Sequence, residues 1–407
     1  MRNLKGTRFA AHAYKRMDLI ELVTNREAAD RAVIDNPGLR IWQFNGIYPH
    51  DVAFNDLASR LKSIEVIDQY AGSAPELFSH RRHTATRIEL SVNRALLLDS
   101  NVSRYMRKYL LNDLKEPFRT DVHTLLTWVV KQRINYHPGF SLMETFSGSS
   151  DPELHGRELI KMGLLLSGMD PEQFLKDGRV VLGCDGLAFL GAQFGTDSLY
   201  EAAEIEMARL PRDKLQVVDP TYASLLKIAL IEDSVPISQY SQRVEEFVIF
   251  LEETLGAILA VELVAALLFF GNQISKFIPL RTTKPLSQRL VDVRSSAWDI
   301  YLARMAPTFI SQGDESALTL PFIVTGDERL KKIVRGLKLV GVISVNNGAP
   351  CPVVVTDFDY LDGFAPRCWD SEWLQKRLAE RKVRTSRVTV DIKSIIAELE
   401  EQVRLRF

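Results

Sequence analysis

Four acidic residues, each placed where an apolar stretch begins or ends, carry the chemistry that this sequence offers. Asp327 closes the phrase Pro321-Phe322-Ile323-Val324-Thr325-Gly326-Asp327, in which a buried-strand pattern stops at Thr-Gly-Asp and a helical spacing follows. Asp99 closes a second copy of the pattern, Arg94-Ala-Leu-Leu-Leu-Asp99. Asp299 stands in Ala297-Trp298-Asp299-Ile300, at the expected start of a helix, and Glu144 in a helical stretch opening at Phe140. Carboxylates gathered from separate elements repel one another, so such a cluster is costly unless a cation neutralises it. A set of oxygen ligands without histidine or cysteine suits hard divalent ions, Mg²⁺ or Mn²⁺. Two such ions about 3.5–4 Å apart can activate a water and stabilise the leaving oxygen of a phosphodiester.

Each acid also has a plainer reading. Asp-Ser-Asn after a strand and Thr-Gly-Asp-Glu before a helix are ordinary N-cap sequences, and Asp299 could cap its own helix. The order and setting of the four together favour chemistry. Acids delivered at strand ends lie at the carboxyl edge of a sheet, where open α/β folds gather ligands.

The elements around them follow from periodicity. Upstream, Leu39 to Phe44 reads as a strand and Asp51 to Lys62 as a helix, while His80-Arg-Arg-His83 reads as a solvated basic turn. A strand from Ile88 to Leu98 delivers Asp99, helices cover Val102 to Leu114 and Asp121 to Arg133, and Ile134 to Tyr136 is a short strand candidate. From Pro152 to Pro285 the pattern is helical, with Asp170-Pro171-Glu172 a well-formed helix start. Val180 to Gly183 is strand-like, and Gly183 to Gly195 reads as loop. Val340 to Val345 and Pro352 to Thr356 read as strands, Trp373 to Lys382 and Ile392 to Leu405 as helices. Glu262 sits in an all-apolar helical stretch and reads as a paired buried acid.

The totals exclude little. A chain of 407 residues can bury a sizeable core, and 51 basic against 52 acidic residues leave any nucleic-acid field to local clusters. Three widely spaced cysteines suggest neither a disulfide framework nor a zinc site and suit a reducing cytoplasm. Ala257 to Gly271 falls short of the about 20 apolar residues that a membrane span needs and contains Glu262, so a buried helix is expected and no membrane partner. Arg281, Lys284, Arg289 and Arg294 precede Asp299, and Arg329, Lys331, Lys332 and Arg335 follow Asp327. These bases could track a phosphate backbone or simply face solvent.

The Leu-Leu-Leu-Asp99-Ser-Asn start, Glu144 after Tyr-His-Pro-Gly-Phe, helix-borne Asp299 and the Thr325-Gly326-Asp327 ending resemble PIN-domain nucleases. The resemblance implies an α/β fold with a central parallel sheet flanked by helices. It also implies a Mg²⁺- or Mn²⁺-dependent endonuclease, acting on single-stranded RNA rather than DNA. Asp99, Glu144, Asp299 and Asp327 would be its metal ligands, Thr325 would orient a water or a ligand, and Asn101 would contact the first acid. Arg294, Arg329, Lys331 and Lys332 would then meet nucleic acid. Glu153, Glu158 and Glu262 remain alternatives to Glu144. The long gap before Asp299 implies a helical insertion, so the expected organisation is an N-terminal extension (1–93), a PIN-like domain in two halves (94–150 and 291–345) split by helices (151–290), and a C-terminal extension (346–407). The additions would read substrate or bind a regulatory or inhibitory protein, as in stress response, a toxin or anti-phage defence. The competing expectation is a PIN-like module that has lost catalysis and only binds nucleic acid or protein.

Overall fold

The computed structural model describes the chain except for residues 1–18, 48–51, 68–72, 81–90, 133, 138, 149–150, 211–215, 258, 313–316, 347–349, 365–373, 375 and 377–390. The expected basic turn at 81–83 and most of the helix expected from Trp373 fall outside the described residues. Among the described residues nine strands run in chain order: β1 (Leu39–Ile47), β2 (Glu65–Ile67), β3 (Ser73–Ser79), β4 (Ser91–Leu98), β5 (Asn135–His137), β6 (Ser311–Gln312), β7 (Ala317–Thr325), β8 (Leu337–Val345) and β9 (Cys351–Thr356).

They form two sheets rather than one parallel sheet. The first, ordered β3-β1-β8-β9, is antiparallel throughout. The second, ordered β2-β7-β4-β5 with β6 on β7, is mixed. Here β4 pairs in parallel with β5 and β7, while β2 and β6 run antiparallel to β7. The α/β class therefore stands. The extensions, however, are built into the sheets: β2 lies beside β7, and β8, grouped by sequence with the second half, pairs with β1 instead.

The apolar runs explain the second sheet. Ala95 to Leu98 and Phe322 to Val324 are buried without interruption, as strands covered on both faces require. Their side chains alternate between two cores. Leu96, Leu98, Phe322 and Val324 pack with Trp42 and Val342 of the first sheet and with the helices Ser100–Leu110 and Phe118–Gln132. Leu97 and Ile323 face the helical block instead. Each buried leucine of this kind contributes roughly 2 kcal/mol.

The helical block follows the sequence reading closely. Helices occupy Pro152–Ser167, Pro171–Asp177, Leu199–Arg209, Asp219–Ser234, Tyr240–Ile249 and Ala260–Phe270. Asp170 caps its helix by accepting from the Gln173 N–H at 3.0 Å. Ala260–Phe270 is buried along its length apart from its first residue, and among the described residues no helix is long and apolar enough to cross a membrane. Two expectations give way. The strand-like Val180 to Gly183 makes only an isolated bridge between Met169 and Leu182. The expected loop after it is the helix Cys184–Phe194. One of its glycines serves close packing: a Cβ on Gly186 would collide with the Gly168 backbone. The C-terminal helix Ile392–Arg406 buries Ile396, Leu399 and Val403, and its Glu400 accepts from the Tyr222 hydroxyl at 2.8 Å.

Candidate active site

Register places the first two elements of the site. Leu98 of β4 lies opposite Val324 of β7, so the next residues, Asp99 and Thr325, emerge side by side at the carboxyl edge of the sheet. The Asp99 N–H donates to the Val324 carbonyl at 3.1 Å, which extends the ladder by one bond. The Thr325 hydroxyl donates to Asp99 Oδ2 and accepts from the Asp327 N–H at 2.9 Å. One buried threonine thus ties the two strand-end acids together. Gly326 fits between them because the chain passes the Ser63 carbonyl there; a Cβ would lie 3.0 Å from that oxygen. The Ser63 loop is held by Asp121, whose carboxylate accepts from the N–H groups of Lys62, Ser63 and Ile64.

Both strand-end acids are N-caps as well as site residues. Asp99 Oδ1 accepts from the Val102 N–H at 2.7 Å at the head of Ser100–Leu110. Asp327 heads the helix Glu328–Arg335 and accepts from the Arg329 N–H at 2.7 Å. The cap reading and the cluster reading are compatible because a carboxylate has more acceptor positions than one cap uses.

Asp299 departs from its sequence reading. It lies deep within the 20-residue helix Leu286–Met305, far from the capping position. Every backbone donor near it is satisfied by the helix, so Asp299 is free of capping duty. Ser295, one turn earlier on the same face, donates to Glu144 Oε1 at 2.6 Å. That bond docks the helix Gly139–Gly148, which carries Glu144, against the Asp299 helix. Ser141, one turn before Glu144, is buried with its hydroxyl 2.6 Å from that of Ser103 and 3.3 Å from the Leu98 carbonyl. The helix that carries Glu144 is therefore tied to the strand edge through Ser141.

The electrostatics report the outcome. Burial pushes the Asp99 carboxyl up from 3.8 to about 6; the Thr325 and Val102 bonds oppose the shift, and Glu144 adds to it. Burial also lifts Asp299 well above its ordinary value, reinforced by Glu144, Asp99 and Asp327. Asp299 is thus within electrostatic reach of the other three expected acids, and Asp99 of Glu144. Asp327 goes the other way: burial pushes it up, but the Arg329 bonds outweigh that and hold it low. Arg329 grips Asp327 through Nε at 2.9 Å and a second nitrogen at 2.5 Å, and its remaining nitrogen reaches the Lys276 carbonyl at 3.1 Å.

Among the described residues, no three histidine, cysteine, aspartate or glutamate side chains are disposed around one point to hold a metal ion. The donor set still fits a hard divalent ion in kind. All donors are oxygens. Asp99 and Asp299 are carboxyls whose ionised forms the protein disfavours, and Arg329 offsets this only in part at Asp299. To hold such an ion, Asp99, Glu144 and Asp299 would have to draw closer together than they stand, with Asp327 joining only once Arg329 released it.

The expected nucleic-acid contacts are mostly engaged within the protein. Arg294 pairs with Asp219 at 3.0 Å and lies 4.6 Å over the Tyr222 ring. Lys331 pairs with Glu65 at 3.1 Å and Glu328 at 2.6 Å, and Lys332 donates to the Gln273 carbonyl at 3.3 Å. The Asn101 side chain accepts a long bond of 3.4 Å from Arg104, and Asn101 meets Asp99 through its backbone N–H. Of the alternatives to Glu144, Glu158 pairs with Lys161 at 3.1 Å. Glu262 is fully buried and accepts from Thr221 at 2.5 Å and Arg304 at 2.8 Å.

Beside the acids opens a cleft of about 480 Å³, lined by Ser100, Arg104, Arg107, Glu144, Ser295 and Trp298 among others. Sequence reasoning missed Ser295, Arg104 and Arg107. The signal was present as spacing: Ser295 stands four residues before Asp299, and Arg104 and Arg107 follow Ser100 at helical intervals. No protein-family model, curated protein or solved structure matches the chain.

Proposed function

We propose that the chain is a divalent-metal-dependent phosphodiesterase with a PIN-like arrangement of acids, cleaving single-stranded RNA. The observation that carries this reading is the placement of Asp99, Glu144 and Asp299, drawn from a strand end and two different helices docked together by the Ser295–Glu144 bond, close enough that Glu144 raises both aspartates. Structural ion pairs bring opposite charges together. Three like charges placed beside a cleft call for a partner that is not part of the chain. A PIN-like parallel unit, β7-β4-β5, would supply the edge on which they stand.

A bound Mg²⁺ or Mn²⁺ would supply charge neutralisation and activation of the attacking water. The chain's own residues have separate tasks. Thr325 fixes the orientation of Asp99 and the approach of Asp327, and Ser295 fixes Glu144. Asp299, held in the middle of a long helix, provides a carboxylate whose position does not depend on a loop. Its raised affinity for a proton also lets it hold one until a cation displaces it.

The decisive experiment is cleavage of a labelled single-stranded RNA in Mn²⁺ by wild type, Asp99→Asn, Asp299→Asn and Asp327→Asn, with EDTA as control. Cleavage abolished by EDTA and by the Asp99 and Asp299 substitutions is the expected result. Full cleavage by Asp299→Asn would sink the assignment. The Arg329 grip on Asp327 favours one alternative, a PIN-like binding module without catalysis. Retention of RNA with no cleavage in any metal would select it.

A further inference from the structure

The bases that sequence order places around the acids are spoken for, so a polynucleotide needs other cations to hold it. The helix Ser100–Leu110, capped by Asp99, offers them. Ser100, Arg104 and Arg107 recur at intervals of four and three, which puts them in one stripe along that helix, and all three line the cleft that also contains Glu144. The stripe runs about 10 Å from the acid end to Arg107. Arg107 is half-buried, yet among the described residues its guanidinium has no carboxylate or carbonyl partner; Arg104 is exposed, with only its 3.4 Å bond to Asn101. The negative groups of the cleft are accounted for. Asp292 is held by Lys284 at 2.7 Å and Gln288 at 3.1 Å, and Glu144 by Ser295. A half-buried guanidinium left without an anion inside a cleft is a poor arrangement for a structural residue and a suitable one for binding an anion from solution.

We propose that Arg104 and Arg107 bind consecutive phosphates of the single strand, leading the chain along the Ser100–Leu110 helix into the acids. This rests on the nuclease reading for the nature of the ligand, but it is a claim about binding and can fail separately. Arginine suits the task because its planar fork can take two phosphate oxygens at once.

The test is fluorescence anisotropy with a labelled 12-nucleotide oligouridine in EDTA, where no metal-dependent cleavage can occur, over a series of NaCl concentrations. Wild type is compared with Arg104→Ala, Arg107→Gln, the double variant and Asp299→Asn. The double variant should bind at least tenfold more weakly at low salt. Its plot of log affinity against log salt should flatten by about 1.4, the effect of two lost phosphate contacts on a single strand. Asp299→Asn should bind as tightly as wild type or more so. Because Arg104 is exposed, Arg104→Ala should keep the unfolding temperature and still lose about half of that slope change. Wild-type affinity and slope in the double variant would overturn the proposal, as would absence of oligouridine binding by wild type. Arginine-dependent binding without Mn²⁺-dependent cleavage would uphold this proposal and refute the nuclease reading instead.

Discussion

Replacing Asp99 by asparagine should make the protein more stable in EDTA while abolishing the proposed cleavage. Asparagine keeps the size and the cap acceptor that the Val102 N–H needs but carries no charge. In the wild type, burial and the neighbouring Glu144 raise the Asp99 carboxyl from 3.8 to about 6, which corresponds to roughly 3 kcal/mol held against its ionised form. The sign follows from linkage. The folded carboxyl binds its proton more tightly than the unfolded one, so its contribution to stability is greatest below about pH 4 and is lost as pH rises through about 6. Asparagine does not titrate. The gain of Asp99→Asn over wild type should therefore be about 2–3 kcal/mol at pH 7.5 and about half of that at pH 5. Urea unfolding of both proteins in EDTA at the two pH values measures the difference directly. Lower stability of the variant at pH 7.5, or a difference that does not change with pH, would refute the claim that Asp99 is held as an uncompensated buried charge.

Mn²⁺ at a thousand times its dissociation constant should reverse the order of the two proteins, because an ion bound only by the native wild type would add about 4.1 kcal/mol; unfolding temperatures with and without metal test this. Arg329→Ala frees Asp327 from its two side-chain bonds. It should cost about 2 kcal/mol in EDTA, limited by the partial exposure of the guanidinium, and should strengthen Mn²⁺ binding measured by calorimetry. Asp121→Asn leaves the N–H groups of Lys62, Ser63 and Ile64 without their shared carboxylate. A loss of about 2 kcal/mol in urea unfolding is expected, together with faster amide exchange at Ser63 and at Gly326 beside it. Gly186→Ala should cost about 1–3 kcal/mol through collision with the Gly168 backbone, and a neutral result would show that this helix pair is less tightly packed than described.

Much of the site could be read from the chain because its signals are local. An apolar run of Ala95 to Leu98 or Phe322 to Val324 can only be a strand covered on both sides, and an acid just after it must stand at a sheet edge next to a helix start. The helical block was readable for the same reason, since a 3.6-residue period needs no knowledge of distant partners. The exceptions share a cause. Gly183 to Gly195 resembles a loop until the Gly168 backbone is seen to demand small residues opposite it. Asp299 resembles a cap until the helix is seen to begin at Leu286.

Distance along the chain set the limit. Nothing in residues 1–93 announces that β2 will pair with β7, or that β1 will take β8 away from its neighbours in sequence, because pairing is chosen by the complementarity of whole faces. Composition placed Arg329 among the bases available to a ligand; packing turned it onto Asp327 and left Arg107 without an anion. Residue types and periods therefore placed Asp99 and Asp327 at the strand ends but set Asp299 at a helix start it does not occupy. The tertiary structure decided which charges neutralise each other, because that depends on separations between elements that the chain brings together only when it folds.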